Sequence, residues 1–461
     1  MTNKPSGRPL DRRELLKLGT AGLGLTAARL TAGLGHEDTV AQERPDLGPA
    51  PAVPFATDPI ETVRMGFVGV GLQGGAHVRN FLSLKGVEIV AVCDINAERA
   101  REVGGWVTAD GRRSPSLYTR SETDFVRMCE TEELDLVFTA TPWEWHVPVC
   151  TAAMANGKHA ATEVPAAYRT DDCWKLVEYA ERFQKHCVMM ENCNYDRPEM
   201  MAFNLSRLGL LGDVVHAECG YLHDLRAIKF EDRHEGLWRR AHAMARDGNL
   251  YPTHGLGPVS NVLDINRGDR FEYLVSMSSP SLGLQEWAVD HYPEGHPKRQ
   301  ERYILGDVNT TMIKTVRGRT IFVSHDTNLP RPYSRIHMVQ GTRGIFQGYP
   351  HRVHLEGGSP GHDWQDWEDL LDEYDHPLWK DLEERSEGAG HGGMDYIEDY
   401  RLIKCLREGI ATDMNVYDAA VLSVIAPLSE WSVANRSRPV DVPDFTRGRW
   451  AQWPRLGIVR A

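Results

Sequence analysis

The sequence predicts an α/β protein: a doubly wound parallel sheet over residues 63–191, then a second, α+β domain over 192–445 whose sheet is open and mainly antiparallel. Three observations carry this. The compact apolar run "RMGFVGVG" ends in glycines and is followed by a helix-compatible segment and a second apolar run, "VEIVAVCD", which together make a βαβ unit. Further continuous apolar runs alternate with amphipathic segments, as in a parallel sheet covered on both faces. Beyond 192 the strands lengthen and alternate in polarity, and two contain Arg-Gly turns of the kind that join hairpins. At 461 residues the chain exceeds what one hydrophobic core serves, so two domains are expected.

The elements follow in order. In residues 1–35, Arg12 and Arg13 precede an apolar, glycine-rich stretch with small residues near Ala27 and Ala28, which resembles a twin-arginine export signal. The apolar run is too short to span a membrane, so export to the periplasm or beyond is expected, with no stable membrane anchor. Residues 36–62 are rich in Pro, Ala and acid and read as an extended linker. The first domain continues through the strand "LDLVFTAT", the helical "HVPVCTAAMANG", the strand "KHAATEVP", a helix opened by Thr170, and "HCVMMEN". After the helix "RPEMMAFNLSRLGLLG" come the alternating strands "DVVHAECGYLHD", "FEYLVSMSS", "DVNTTMIKTVRGRTIFVSHDT" and "SRIHMVQGTRGIFQGY". The acid- and Trp-rich stretch 363–387 reads only as a surface excursion. Two helices, "GGMDYIEDYRLIKCLREG" and "VYDAAVLSVIAPLSEWSVAN", precede a tail over 446–461.

A formal charge of -13, with the basic groups of the N-terminal segment offset by a more acidic remainder, argues against nucleic acid as a partner, because phosphate binding needs a basic face. The eight cysteines contain no C-x-x-C pair, so buried free thiols are expected rather than zinc or a disulfide scaffold. Twelve Trp and fifteen Tyr suit core packing and sugar rings alike.

"GVGLQG" places Gly69, Gly71 and Gly74 in G-x-G-x-x-G spacing, with Leu72 and Gln73 between, where the first strand meets its helix. Bare glycines let backbone approach a pyrophosphate whose charge the helix N-terminus stabilises. Asp94 ends the second strand about 20 residues further on, placed to bond ribose hydroxyls and to repel a 2'-phosphate. The first domain is therefore read as Rossmann-type, with NAD as cofactor. "TATPWEWH" and "ATEVP" end later strands and place Thr141, Pro142, His146, Glu163 and Pro165 near the nicotinamide half, the two prolines equally well as structural residues.

"DGNLYPTHGLGP" holds Tyr251 and His254 among a proline and three glycines. If "PTHGLGPVSNVLDIN" opens a helix, both rings emerge at its first turn, either shaping that turn or facing a substrate.

Two domains of this kind resemble the glucose-fructose oxidoreductase and inositol dehydrogenase superfamily, in which a Glu-Lys-Pro triplet follows a late Rossmann strand. Here it reads Glu163-Val164-Pro165, without the lysine of ordinary members. With "EVPAA", "ENCNYDRPE", "DGNLYPTHGLGPV", "INRGDRFEYLVSMSS", "GDVNTTMI", "RPYSRIHMVQGT", "GHGGMDYIEDYRLI" and "SEWSVANRSRPVDVPDFTRG", the chain is similar, from about Arg64 to about Trp450, to glycoside hydrolase family 109, the NAD-dependent α-N-acetylgalactosaminidases. The resemblance implies hydrolysis of a terminal α-linked N-acetylgalactosamine by a redox-neutral cycle of oxidation, elimination, water addition and re-reduction, with NAD held throughout. It implies His254, Tyr251 and Glu163 as catalytic groups. Arg239 and Tyr333 are implied as contacts of the carbohydrate, and Tyr195 either as one more or as a helix cap, while Asp395 and His391 serve equally well to start the helix that follows. An NAD-dependent sugar or polyol dehydrogenase is the alternative. An exposed face of the antiparallel sheet leaves self-association open.

Overall fold

The computed structural model describes residues 45–461 apart from 46 and 53. The twin-arginine segment lies outside the described residues.

The first sheet contains β1 (Val63–Val68), β2 (Val87–Cys93), β3 (Ser116–Tyr118), β4 (Leu136–Thr139), β5 (His159–Thr162) and β6 (Cys187–Met189), in the order β3-β2-β1-β4-β5-β6. Every pairing is parallel. β4 and β5 are buried at all positions because helices cover both faces, which is why their sequences show no alternation. The chain reverses direction across the sheet between β1 and β4, and the crevice at their carboxyl ends is where such sheets take a ligand.

The second sheet has nine strands: β7 (Val214–Leu222), β8 (Phe271–Ser278), β9 (Asn309–Thr315), β10 (Thr320–Asp326), β11 (Met338–Gly341), β12 (Gly344–Gln347), β13 (Arg352–Leu355), β14 (Gln365–Asp366) and β15 (Val440–Asp441). Their order is β14-β13-β12-β11-β7-β10-β9-β8-β15. β7 and β10 are parallel, and the other pairings are antiparallel. The helices Thr253–Val262 and Ile425–Ala434 pack on one face, over β7 and β8. On the other, Tyr273, Met277 and Met312 are exposed.

Two expectations are corrected. The described part of 36–62 packs rather than floating as a linker: Arg447 and Arg449 donate to the carbonyls of Gly48 and Ala50, the Trp453 indole donates to Pro51, and Phe55 stacks on Tyr417. The stretch 363–387 is not wholly a surface excursion, since the helix Pro377–Ser386 buries Leu378, Trp379 and Leu382. All eight cysteines are free and buried. No helix among the described residues is long and apolar enough to cross a membrane.

Seven histidines are buried among the described residues, His159, His186, His325, His337 and His376 among them. Burial pushes His159, His325 and His337 down to about 3 and His186 and His376 to about 4. Their unfolded counterparts take up protons near pH 6.5, so stability is lost as pH falls from there toward 4, by about 1.4 kcal/mol per pH unit for each group. The thermal unfolding midpoint is therefore expected to drop steeply between about pH 6.5 and pH 4.5. A flat midpoint over that interval would show these histidines charging without penalty.

Candidate active site at the domain junction

The cofactor cradle is built by glycines with different tasks. Gly69, at φ 77°, turns the chain, and a Cβ there would lie 2.9 Å from the Ala140 carbonyl oxygen. A Cβ at Gly74 would come within 2.1 Å of the Gly69 oxygen, so that position keeps helix and strand in contact. At Gly71 a Cβ would meet nothing within 4 Å: this glycine borders open space. The helix Leu72–Ser83 starts there with no side-chain cap and no acid in its first turn, leaving its amides open to an anion. Arg99 holds the turn from behind, donating to the carbonyls of Val70 and Gly71 at 2.6 and 2.7 Å. Asp94 accepts from the amides of Val70 and Asn96 at 2.9 and 2.8 Å, which fixes its carboxylate beside the turn. Leu72 and Ile95 are 68% and 66% exposed, apolar surface suited to a nucleotide base. The residues present thus fit a dinucleotide without a 2'-phosphate. Ile95 was not legible as a site residue, although its place after Asp94 is a usable signal.

Two expected cofactor contacts are otherwise engaged. Gln73 turns to the second domain and donates to Asp395 at 3.2 Å. Both ring nitrogens of His146 face carbonyl oxygens, of Pro165 at 2.7 Å and of Thr141 at 2.8 Å, so the ring ties together the segments that follow β4 and β5. The Thr141 hydroxyl meets that of Thr139 at 2.8 Å.

On the sugar side, the glycines of "THGLG" explain the position of His254. A Cβ at Gly255 would lie 2.5 Å from the Gly220 nitrogen, and one at Gly257 would lie 2.7 Å from Glu191 Cγ. The helix Thr253–Val262 therefore lies directly on β7 and on Glu191, just past the end of β6. That contact brings His254 Nδ1 to 2.7 Å from Glu191 Oε1. Glu191 is fully buried and accepts Nδ1–H, which orients the ring and leaves Nε2 as its other polar end. Tyr251 stands edge-on to His254 at 4.9 Å between ring centroids and stacks on Trp143 at 5.8 Å. Burial pushes its phenol well up, reinforced by Tyr221, Glu163 and Glu191 against the lowering effect of Arg239. Tyr251 therefore stays protonated and can act as a hydrogen-bond donor.

Arg239, ion-paired with Glu235 at 2.7 Å, lies over the rings of Trp143, Trp238 and Tyr251. Tyr221 links the group, 4.6 Å from Tyr251, 5.4 Å from His254 and 6.2 Å from Tyr333. Tyr333 accepts from Arg335 at 3.1 Å. Glu163, after β5, meets His77 Nε2 at 2.9 Å through Oε1 and accepts its neighbour Val164's amide at 3.1 Å through Oε2. Tyr195 does not join them: its hydroxyl donates to Asp413 at 3.0 Å and its carbonyl accepts from Trp379 at 2.8 Å. Glu191, Tyr221 and His77 were not singled out from the sequence. An acid ending a late strand was a signal for Glu191, whereas Tyr221 alternates along an ordinary strand and His77 reads as a helix residue.

Residues 63–192 match the model of the oxidoreductase family with an NAD-binding Rossmann fold, and residues 195–452 that of the glycosyl hydrolase 109 C-terminal domain. A glycosyl hydrolase family 109 protein of Shewanella putrefaciens is 46% identical over 459 residues, covering 98% of this chain and 99% of its own. One from Shewanella pealeana is 46% identical over 456 residues with the same coverage. Among solved structures, a levoglucosan dehydrogenase in complex with NADH superposes with a TM-score of 0.64 at 20% identity, covering 83% of this chain and 100% of that one. An NAD binding oxidoreductase from Klebsiella pneumoniae gives 0.65 at 16% identity, with 83% and 99% covered. These structures share the fold, and with the NAD-binding first domain and the matched second domain the chain belongs to glycosyl hydrolase family 109.

Proposed function

We propose that this protein hydrolyses terminal α-linked N-acetylgalactosamine without net oxidation. The observation that carries this reading is the pairing of two separately supported proton-transfer groups beside a protonated phenol at the cofactor-binding edge: His254 on buried Glu191, and Glu163 on His77. Bound NAD, held by the Gly69–Gly74 turn and Asp94, supplies reversible hydride acceptance from the sugar carbon bearing the 3-hydroxyl.

His254 receives the proton of that hydroxyl and returns it at the end of the cycle. With the carbon at the ketone level, the hydrogen on carbon 2 is acidic, and Glu163 takes it as a proton. The bond between carbon 1 and the glycosidic oxygen breaks, and that oxygen leaves with a proton from solvent, which the second proton of the water added next replaces. Water then adds its oxygen to carbon 1 while carbon 2 regains a proton. The sum is glycoside plus water giving sugar plus alcohol. Each proton transfer of this kind contributes about 10²–10⁴ in rate when the group is within hydrogen-bond reach. Arg239 and Tyr333 contact hydroxyl or acetamido groups of the sugar. A twin-arginine route, which moves folded proteins, fits a cofactor loaded before export.

The test uses the protein as isolated, with no added NAD, and an aryl α-N-acetylgalactosaminide in D₂O. Hydrolysis with deuterium at carbon 2 of the released sugar is expected. Reduced cofactor accumulating with free sugar would identify a dehydrogenase instead, and hydrolysis without deuterium at carbon 2 would exclude the elimination.

A further inference from the structure

His77 lies on the helix Leu72–Ser83, just past the glycine turn, and is 1% exposed. Its Nδ1 faces both oxygens of Asp399 at 2.8 and 2.9 Å, while its Nε2 faces Glu163. Asp399 is fully buried on the helix Met394–Glu408 and also accepts from Asn80 at 2.9 Å. Burial pushes the Asp399 carboxyl up to about 6, against the lowering effect of His77 and Asn80, and above that pH the imidazole lies between two ionised carboxylates, which have no hydrogen to donate, so it carries a proton on each nitrogen. The nearby Val164, where ordinary superfamily members place a lysine, is buried and apolar. The positive charge next to Glu163 therefore comes from behind, through the cofactor-binding helix, and is anchored by the second domain.

We propose that His77 and Asp399 are positioning residues for Glu163: Asp399 clamps the imidazolium, and the imidazolium orients the Glu163 carboxylate toward the sugar carbon whose proton it receives. This rests on the role given to Glu163 above. The groups that face His77 are Glu163 at the end of β5, Asp395, Glu398 and Asp399 from the helix Met394–Glu408, and His391 from the turn before it. Burial opposes charging of His77, but Asp399 and Glu163 together outweigh it and push it well up. Glu398 has both oxygens buried without a hydrogen-bond partner among the described residues. Burial pushes its carboxyl well up, aided by Asp399, Glu163 and Asp395 against His77. His391 and Asp395 pair with each other at 2.7 Å. The cation of His77 is thus shared between Asp399 and Glu163.

The test compares His77→Gln and Asp399→Asn with the parent as NAD-loaded proteins. His77→Gln keeps an amide donor but loses the charge, and Asp399→Asn is nearly isosteric. Cofactor content, thermal midpoint, and kcat and KM on an aryl α-N-acetylgalactosaminide are measured from about pH 5 to pH 9. Each variant is expected to lower kcat by about 10- to 100-fold, with KM within about threefold and NAD content unchanged. In His77→Gln the acidic limb of the kcat profile moves to higher pH, because Asp399, already pushed up to about 6 by burial, loses the cation that favours its ionised form. A purely structural role would lower the midpoint or the NAD content and leave that limb in place. Folded, NAD-loaded variants with parental kcat and an unmoved limb would overturn the proposal, and Asp399→Asn decides alone if His77→Gln does not fold. Glu163→Gln separates the two levels. Lost turnover with NAD retained upholds the role of Glu163 whatever His77 does, and parental turnover removes that role and this inference with it.

Discussion

His254→Ala is expected to lower kcat by about 10²–10⁴ while the isolated protein keeps its NAD. The rate falls because Nε2 is the end of a two-member unit: Glu191 holds Nδ1–H from below, and no other imidazole in the ring cluster is backed by a buried carboxylate among the described residues. The cofactor stays because its cradle, from Gly69 to Gly74 with Asp94 and Arg99, lies on the first domain and makes no contact with His254. Truncation also strands the Glu191 carboxylate in the interior, so the thermal midpoint drops as well. The double variant His254→Ala/Glu191→Gln removes that stranded charge and is expected to regain stability without regaining rate. Stability and cofactor are measured on the same preparations as activity. Loss of NAD from His254→Ala, or turnover close to the parent, would make this histidine a structural residue.

Much of the first domain was legible because its signals are local. The glycine spacing, the acid ending β2 and the unbroken apolar strands each lie within one βαβ unit, and the structure gives Gly69, Gly71 and Gly74 distinct steric reasons. The antiparallel character of the second sheet followed from strand alternation and two Arg-Gly hairpins, but its parallel β7 and β10 pair did not, since they are separated by the whole of β8 and β9.

The site was legible where a motif carries the residue and its neighbour together. Tyr251 and His254 share one turn, and their glycines announce a close approach. What that approach was to could not be read: Gly255 meets β7 and Gly257 meets Glu191, both remote in sequence. The His77 and Asp399 contact joins positions 322 apart, and nothing in either local sequence marks it. Gln73 and Tyr195 show a related limit. Both sit in motif stretches, yet their side chains turn to Asp395 and Asp413, carboxylates supplied by the helix Met394–Glu408 and the loop that follows it. Sequence position gave the backbone address of these residues, and packing decided their direction.

Removal of NAD is the second change with a large expected effect. In a cycle where the sugar is oxidised before its glycosidic bond breaks, no acid or base on the chain can substitute for the hydride acceptor: without oxidation at carbon 3, the hydrogen on carbon 2 has no carbonyl beside it and is not removed at neutral pH. The loss should therefore exceed that of any single side-chain variant, whose residual rate still draws on the remaining groups. The decisive measurement is hydrolysis of an aryl α-N-acetylgalactosaminide by protein stripped of NAD under conditions that keep it folded, followed by re-addition of NAD without any second redox substrate. The stripped protein is expected to be inactive and to recover in proportion to the NAD it rebinds, with no net cofactor reduction. Cleavage by the stripped protein at the rate of the loaded one would contradict the account.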